Sequence, residues 1–322
     1  MRYIIYGAGA VGGSIGARLH QHGREVVLIC RGAHLEAVRR DGLTLQAPEG
    51  TAALPIPATG SPAGLRFGPE DVVLLTVKSQ DTARALDDLR AAAGDVPVVC
   101  AQNGVANERM ALRRFSRVYA MVVLLPATHL EPGVVTLHAG PVGGVLDAGR
   151  YPEGTDPLIQ QVTADLSAAG FSARPDPHVM RLKYAKLVQN LGNAVQALCP
   201  PGPETAELLR LVREEALACY RAAGIQPGDL EAVRRERGMR AAPRGEGSTR
   251  LGSSTWQSLA RGTGSVETDY LNGEIALLGA LHGVPTPYNR LIQQVSAQAA
   301  REGHPPGSYD AAELLARGRA GG

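Results

Sequence analysis

The chain has 322 residues, 44% of them hydrophobic and 20% charged, with a formal net charge of +2. That length supports two domains with a sizeable core, and the near-neutral charge argues against a nucleic-acid module, which needs a basic stripe with aromatic partners. No stretch has the sustained apolar run of a membrane span, and the N-terminus opens on a strand pattern without a basic flank and signal core, so a cytoplasmic protein is expected.

Residues 2–6 read as a short buried strand, and Gly7-x-Gly9-x-x-Gly12 follows at once. Residues 11–20 take up helical composition, and residues 25–29 begin a second strand. Strand, glycine turn, helix and strand in that order form the dinucleotide-binding arrangement of an α/β Rossmann-type domain. Gly7 permits the tight turn, Gly9 leaves room for a pyrophosphate, Gly12 lets the helix approach the sheet, and the helix N-terminus offers N–H groups to phosphates. Gly7, Ala8, Gly9, Ala10, Val11 and Gly12 are therefore the expected cofactor-binding turn. After the second strand comes Cys30-Arg31-Gly32. An acidic residue here would bind the adenosine ribose of NAD; an arginine instead meets the extra phosphate of NADPH, so Arg31 predicts that cofactor.

A short helix is expected over residues 35–40, then small strands from residue 42 and a turn-rich stretch through Gly60 and Gly68. Residues 72–77 are continuously apolar, as in a parallel strand covered on both faces, and Lys78 follows where that strand ends. A helix over 82–93 and a strand over 96–100 lead into Gln102-Asn103-Gly104. Lys78 and Asn103 thus close successive strands and should face one crevice, since open α/β sheets bind ligands outside the carboxyl ends of their strands. Further strands are expected at 118–125, 133–137 and 142–146, the later ones antiparallel because their connections are short. A helix over 157–169 and an edge strand at 171–174 complete a first domain, residues 1–177, which Asp176-Pro177 closes.

Residues 178–322 are helical in composition, apart from turns at Gly202 and at Gly283-Val284-Pro285 and a loop around 238–252. The arginine-rich stretch from Arg234 to Arg250 reads as a solvated loop, and the tail with Gly318, Gly321 and Gly322 as frayed. On one helix over 178–198, Lys183, Lys186, Asn190 and Asn193 share an arc of roughly 100°. That set suits an anionic substrate with carbonyl and hydroxyl oxygens, or else is an exposed polar face. A lysine beside a ketone under reduction stabilises the developing oxyanion and donates its proton. Lys186 fits that role, with Asn190 one turn on to orient it and Lys183 as a supporting, carboxylate-facing charge. Ser254 suits a substrate carboxylate or a helix cap, Ser265 an N-cap, and Glu267 a substrate hydroxyl or helix-end electrostatics. Cys30, Cys100, Cys199 and Cys219 form no metal-binding spacing and read as reduced structural thiols. The apolar run 277–281 packs internally or across the two-fold axis of a homodimer.

Taken together, GAGAVGG, the Arg31-Gly32 pair, VKSQDT, AQNG, KLVQN, SSTWQ and VETDYLNG resemble the 2-dehydropantoate 2-reductase (ketopantoate reductase) family over nearly the whole chain. The resemblance implies an NADPH-binding Rossmann-type domain, a C-terminal all-helical domain, and a 2-oxo acid held between them and reduced to a hydroxy acid. The family's catalytic lysine falls on Lys186, its following asparagine on Asn190, its glutamate on Glu267 and its substrate serine on Ser254. The asparagine of its N-G turn falls on Asn103, its phosphate-binding arginine on Arg31 and its strand-end lysine on Lys78. The sequence departs from the family at Ala194, where a further asparagine is usual and Asn193 stands nearest. It also departs at Leu182, in a neighbourhood that usually has a tryptophan, and in a serine-to-glutamate interval longer by one residue at 262–265. These departures admit a different 2-oxo acid as substrate. A non-catalytic NADPH-binding protein is the competing class, distinguished by indifference to Lys186→Ala.

Overall fold

A computed structural model describes residues 1–140, 142–238, 253–262 and 264–321. The chain divides into two compact units: Met1–Lys183 with residues 229–238, and Tyr184–Gly228 with the described residues from 253 onward.

In the first unit β1 (Arg2–Tyr6), α1 (Ala10–Gln21), β2 (Glu25–Ile29), α2 (Gly32–Asp41), β3 (Leu43–Ala47), β4 (Gly50–Leu54) and β5 (Ala58–Thr59) come first. They are followed by β6 (Asp71–Leu75), α3 (Thr82–Ala93), β7 (Val98–Cys100), α4 (Asn107–Leu112) and β8 (Val118–Met121). Then come β9 (Ala127–Thr128), β10 (Val134–Leu137), β11 (Ala148–Arg150) and α5 (Pro157–Ala168). The main sheet runs β11-β8-β7-β6-β1-β2-β5, parallel except for β11. β1 lies between β2 and β6, so strand order reverses at β1, which is where such sheets open a ligand crevice.

The continuous apolar runs follow from coverage on both faces. Tyr3 and Ile5 of β1 join Val72, Leu74 and helices α1 and α5 on one side, while Ile4 and Tyr6 join Val73, Leu75, α3 and Phe115 on the other. At the opposite end of the strands, Arg2 donates from Nε and Nη2 to the two carboxylate oxygens of buried Asp71, each at 2.7 Å, tying β1 to β6.

Several expectations need correction. The strand expected at 133–137 forms as β10, antiparallel to β9 as expected but parallel to β3, in a second sheet of order β4-β3-β10-β9 over the outer side of α1. Among the described residues, 142–146 and 171–174 make isolated bridges, Val145 with Leu124 and Ser172, rather than strands. α2 starts at Gly32, three residues before the expected start.

Helix α6 (Val179–Asn190) ends where a single helix over 178–198 was expected to continue; a turn at Leu191 separates it from α7 (Gly192–Leu198). The second unit is built from the part of α6 that follows Lys183, that turn, α7, α8 (Pro203–Ala222) and the described helices from residue 254 onward. Between them α9 (Leu230–Glu236) belongs to the first unit and takes Arg234 and Arg235 out of the expected loop. Arg237 explains that return: it lies 3.0 Å from Asp147 and donates to Ser172, with both charged groups buried. Residues 239–252 of the arginine-rich stretch lie outside the described residues, as do Thr263 and Gly322.

The remaining elements are α10 (Ser254–Ala260), a 3₁₀ turn Glu267–Tyr270, α11 (Asn272–His282), α12 (Pro287–Glu302) and α13 (Ala311–Ala320). The carboxylate of Glu215 on α8 accepts from the backbone N–H of Tyr288 and of Asn289, each at 2.9 Å, and so caps the N-terminus of α12. Buried Asn289 donates to Val212 O and Glu215 and accepts from buried Asn272, so one amide network joins α8, α11 and α12. On α11, Leu278 is buried while Leu277 and Leu281 are exposed.

The tail is packed rather than frayed through Gly318. A Cβ there would lie 2.3 Å from Tyr288 Cε1 of α12, whereas one at Gly321 would meet nothing nearer than 3.6 Å. Gly318→Ala should therefore cost about 1–3 kcal/mol through overpacking, read as a melting temperature several degrees lower by calorimetry. Gly321→Ala should leave it unchanged, and equal behaviour of the two variants would refute tight packing of α13.

Candidate functional site

The glycine turn in the first unit is shaped by its neighbours. Gly7 has φ +110°, and a Cβ on it would lie 2.6 Å from Val77 N at the end of β6, so neither conformation nor space admits a side chain. A Cβ on Gly12 would lie 2.4 Å from both Gly7 O and Thr76 Oγ1. Gly9 differs: a Cβ there would meet nothing within 4 Å. Two of the glycines are thus required by packing, and the third opens onto free space at the N-terminus of α1, a helix with no acidic residue in its first turn. Ala10, Val11 and Gly12 form that first turn, where N–H groups have no intrahelical acceptor. The turn can hold an anion such as a pyrophosphate.

Two side chains that sequence reasoning missed hold this turn. Thr76 donates its hydroxyl to Tyr6 O or Gly7 O, at 3.1 and 2.9 Å, and its N–H to Tyr6 O at 2.9 Å. Its signal was faint: one hydroxyl near the end of an apolar run. His34 on α2 donates from Nε2 to Ala8 O at 2.8 Å, while its Nδ1 accepts the N–H of Gly133 at 2.8 Å, which makes it a neutral imidazole in the Nε2–H form. The His129 ring lies 4.3 Å away, centroid to centroid.

Arg31 is the N-cap residue of α2 and is exposed beside the end of β2. Lys78 follows β6 at the entrance to a 3₁₀ turn, Ser79–Asp81, and Asn103 lies in the turn between β7 and α4, both half-buried. The two turns share one buried polar network. Gln102 Nε2 donates to Val77 O at 2.7 Å and to Thr82 Oγ1 at 2.8 Å; Thr82 donates to Asn107 Oδ1; and Asn107 Nδ2 reaches Ser79 Oγ at 3.2 Å and Asn103 O at 2.9 Å. The carboxyl ends of β1, β6 and β7 therefore present the glycine turn, Lys78 and Asn103 as one tied edge.

Lys183 is enclosed within the first unit. Its side chain is 2% exposed, with Nζ 2.7 Å from buried Glu108 and 2.8 Å from Gln102 O. The helical arc could not foresee this, because the acceptors come from a distant loop and helix.

The second unit gathers the rest around the Leu191 turn. Lys186 and Asn190 are half-buried on the last turns of α6, and Asn190 Nδ2 is buried with no hydrogen-bond partner among the described residues. Asn193 is the second residue of α7, and its carbonyl accepts from Ser253 Oγ at 2.9 Å. Ser253, not Ser254, caps α10 by accepting from Trp256 N–H, so Ser254 is not the cap. Glu267 opens the 3₁₀ turn, which Val266 precedes without a side-chain cap; Ser265 does not cap the helix that follows. Buried Asn272 reaches back to Leu191 O at 3.5 Å, so the Glu267 turn and the Leu191 turn are neighbours.

Among the described residues no group of three His, Cys, Asp or Glu side chains could hold a metal, and no helix is long and apolar enough to cross a membrane. All four cysteines are buried free thiols; burial pushes Cys30 and Cys199 up to about 11.

These features define a dinucleotide-binding α/β protein with a separate helical unit. Residues 3–152 match the family Ketopantoate reductase PanE/ApbA, and residues 178–300 match its C-terminal part. A 2-dehydropantoate 2-reductase of Halobacterium salinarum is 30% identical over 320 residues, 94% of this chain and 100% of that protein. One of Pyrococcus horikoshii is 32% identical over 192 residues, 59% of this chain and 61% of that protein. The crystal structure of a PanE/ApbA family ketopantoate reductase from Ralstonia eutropha matches with a TM-score of 0.79 at 30% identity, covering 94% of this chain and 99% of that one. The chain belongs to the ketopantoate reductase family of oxidoreductases.

His34 generates a pH prediction. Burial, then the neighbouring His129, hold its pKa below the ordinary 6.5, against a smaller raising effect of the Ala8 carbonyl. The unfolded chain therefore takes up this proton at higher pH than the folded one. The stabilising contribution of His34 is complete above the ordinary value and declines as pH falls below it. Urea unfolding between pH 8 and 5 should show a shallower acid-side loss for His34→Gln than for wild type. His138, whose pKa burial also lowers, keeps part of the slope. Identical slopes would count against the His34 clamp.

Proposed function

We propose that the protein reduces 2-dehydropantoate (ketopantoate) to pantoate with NADPH, as a cytoplasmic enzyme of pantothenate biosynthesis. The observation that carries the reading is the glycine turn, closed by packing at Gly7 and Gly12 and open at Gly9, in a chain whose two parts both match the ketopantoate reductase family. Gly7 to Gly12 would hold the pyrophosphate, Arg31 the 2′-phosphate, and Lys78 and Asn103 the remainder of the dinucleotide. When bound, the reduced nicotinamide supplies the hydride.

The residues of this chain supply the rest. Lys186 stabilises the negative charge that develops on the ketone oxygen and donates the proton that makes it a hydroxyl. Asn190 orients that oxygen with its otherwise unpartnered buried Nδ2. Glu267 accepts a hydrogen bond from the hydroxyl, and Ser254 with Asn193 binds the carboxylate. Lys183 drops out of the substrate set because its ammonium is enclosed.

Ala194, 1% exposed, favours a second reading, because a buried amide usual in the family is missing there. A different branched 2-oxo acid is then the substrate. Kinetics with purified protein separate the two: a specificity constant for ketopantoate no better than for other branched 2-oxo acids would sink the narrower reading. Under either, Lys186→Ala should lower kcat by roughly 10²-fold or more. Arg31→Ala should raise the KM for NADPH by about tenfold while sparing NADH, because the charge-assisted bond it loses is worth about 1.5–3 kcal/mol. Full turnover by Lys186→Ala would refute the general-acid role.

The open position at Gly9 can be tested separately. Gly9→Ala should cost no more than about 1 kcal/mol of stability yet weaken NADPH binding in a fluorescence titration. Gly12→Ala, which must displace Gly7 O and Thr76, should lower the melting temperature clearly. Undiminished NADPH affinity in Gly9→Ala would remove the pyrophosphate from this turn.

A further inference from the structure

The Lys183 ammonium has three acceptors, and its side chain is buried. It lies 2.7 Å from Glu108 Oε1, 2.8 Å from Gln102 O and 3.3 Å from Met121 O, and the side chains of Lys183 and Glu108 are 2% and 0% exposed. Among the described residues the Glu108 carboxylate accepts no other bond, so the ammonium is its compensation. Burying two charges gives little net stability compared with apolar residues of the same volume. What an apolar pair could not do is hold two backbone carbonyls, and one of these belongs to the Gln102–Asn103 peptide.

The opposite side of Asn103 is held as well, since its own carbonyl accepts from Asn107 Nδ2 at 2.9 Å. Both peptide groups flanking Asn103 are therefore clamped from inside the unit: one by Lys183, the other by the residue next to Glu108. Gln102 carries the clamp onward. Its Nε2 donates to Val77 O, the carbonyl of the peptide that precedes Lys78.

We propose that Lys183 and Glu108 are positioning residues: the buried pair sets the turn that aims Asn103, and through Gln102 the start of the Lys78 turn, at the cofactor crevice. This rests on the reading of Asn103 as a cofactor-binding residue. Neither member of the pair touches cofactor or substrate; both act through Asn103.

The test measures NADPH affinity by fluorescence, KM and kcat with ketopantoate, and melting temperature. The variants are Lys183→Met/Glu108→Leu, Asn103→Ala and the triple combination, with Glu108→Gln as a milder break. Removing both charges avoids leaving one unpaired. The expected result is a folded Lys183→Met/Glu108→Leu protein with NADPH affinity about tenfold weaker, kcat changed less than KM, and Asn103→Ala costing markedly less in that background than in wild type. If the double variant does not fold, Glu108→Gln and its combination with Asn103→Ala are read in the same way. Unchanged NADPH affinity in a folded variant, or losses that simply multiply with that of Asn103→Ala, overturns the proposal. Should Asn103→Ala alone leave NADPH affinity unchanged, the reading of Asn103 fails, and the positioning role fails with it.

Discussion

The close approach of the Gly7 backbone to the end of β6 is the constraint on which the first unit depends. β1 pairs with β2 on one side and β6 on the other, so the chain leaving β1 must turn over β6 to start α1. A side chain at Gly7 would overlap Val77 N, and one at Gly12 would overlap both the Gly7 carbonyl and Thr76. Thr76 then ties the two strands through the Tyr6 and Gly7 carbonyls. From this contact follow the direction of α1, the exposure of its N-terminal N–H groups, and the open space above Gly9.

Charged groups inside the first unit act as ties rather than as general sources of stability. Arg2 with Asp71 joins two strands at their amino ends, Arg237 with Asp147 returns a late segment to an early sheet, and Lys183 with Glu108 holds the turn after β7. Breaking such a pair strands a buried charge, whereas an apolar pair would tolerate many partners. The ion pairs thus specify which remote segment packs where.

The helical unit solves the same problem with amides. Asn272 and Asn289 are both 0% exposed, and with Glu215 they join α8, α11 and the N-terminus of α12. The short contacts among these helices bring the Leu191 turn, the Ser253 cap and the Glu267 turn together. Segments widely separated in the chain thereby meet at the Leu191 turn.

Much of this was legible in the chain. The strand, glycine turn and helix, the apolar run from Val72 and the helical second half are local patterns of spacing and apolar content; the run read as a strand over 72–77 pairs as β6 over Asp71–Leu75. The break at Leu191 was not legible, because apolar and polar periodicity continue across it; nor was the packing of Gly318, which looks like a tail glycine until Tyr288 is placed against it. The partner of β10 was not legible either: residues 134–137 pair in parallel with β3, which lies some 90 residues earlier in the chain, with Thr136 bonded to Gln46.

By itself the sequence determined the glycine turn between β1 and α1 and the family of the chain, since glycine spacing next to a strand and a helix needs only neighbours in the chain. Tertiary structure alone decided the fate of two lysines three residues apart, Lys183 and Lys186. One is enclosed against Glu108 and two backbone carbonyls and the other is half-buried on the same helix, because the partners that bury a charge come from remote segments that no local pattern records.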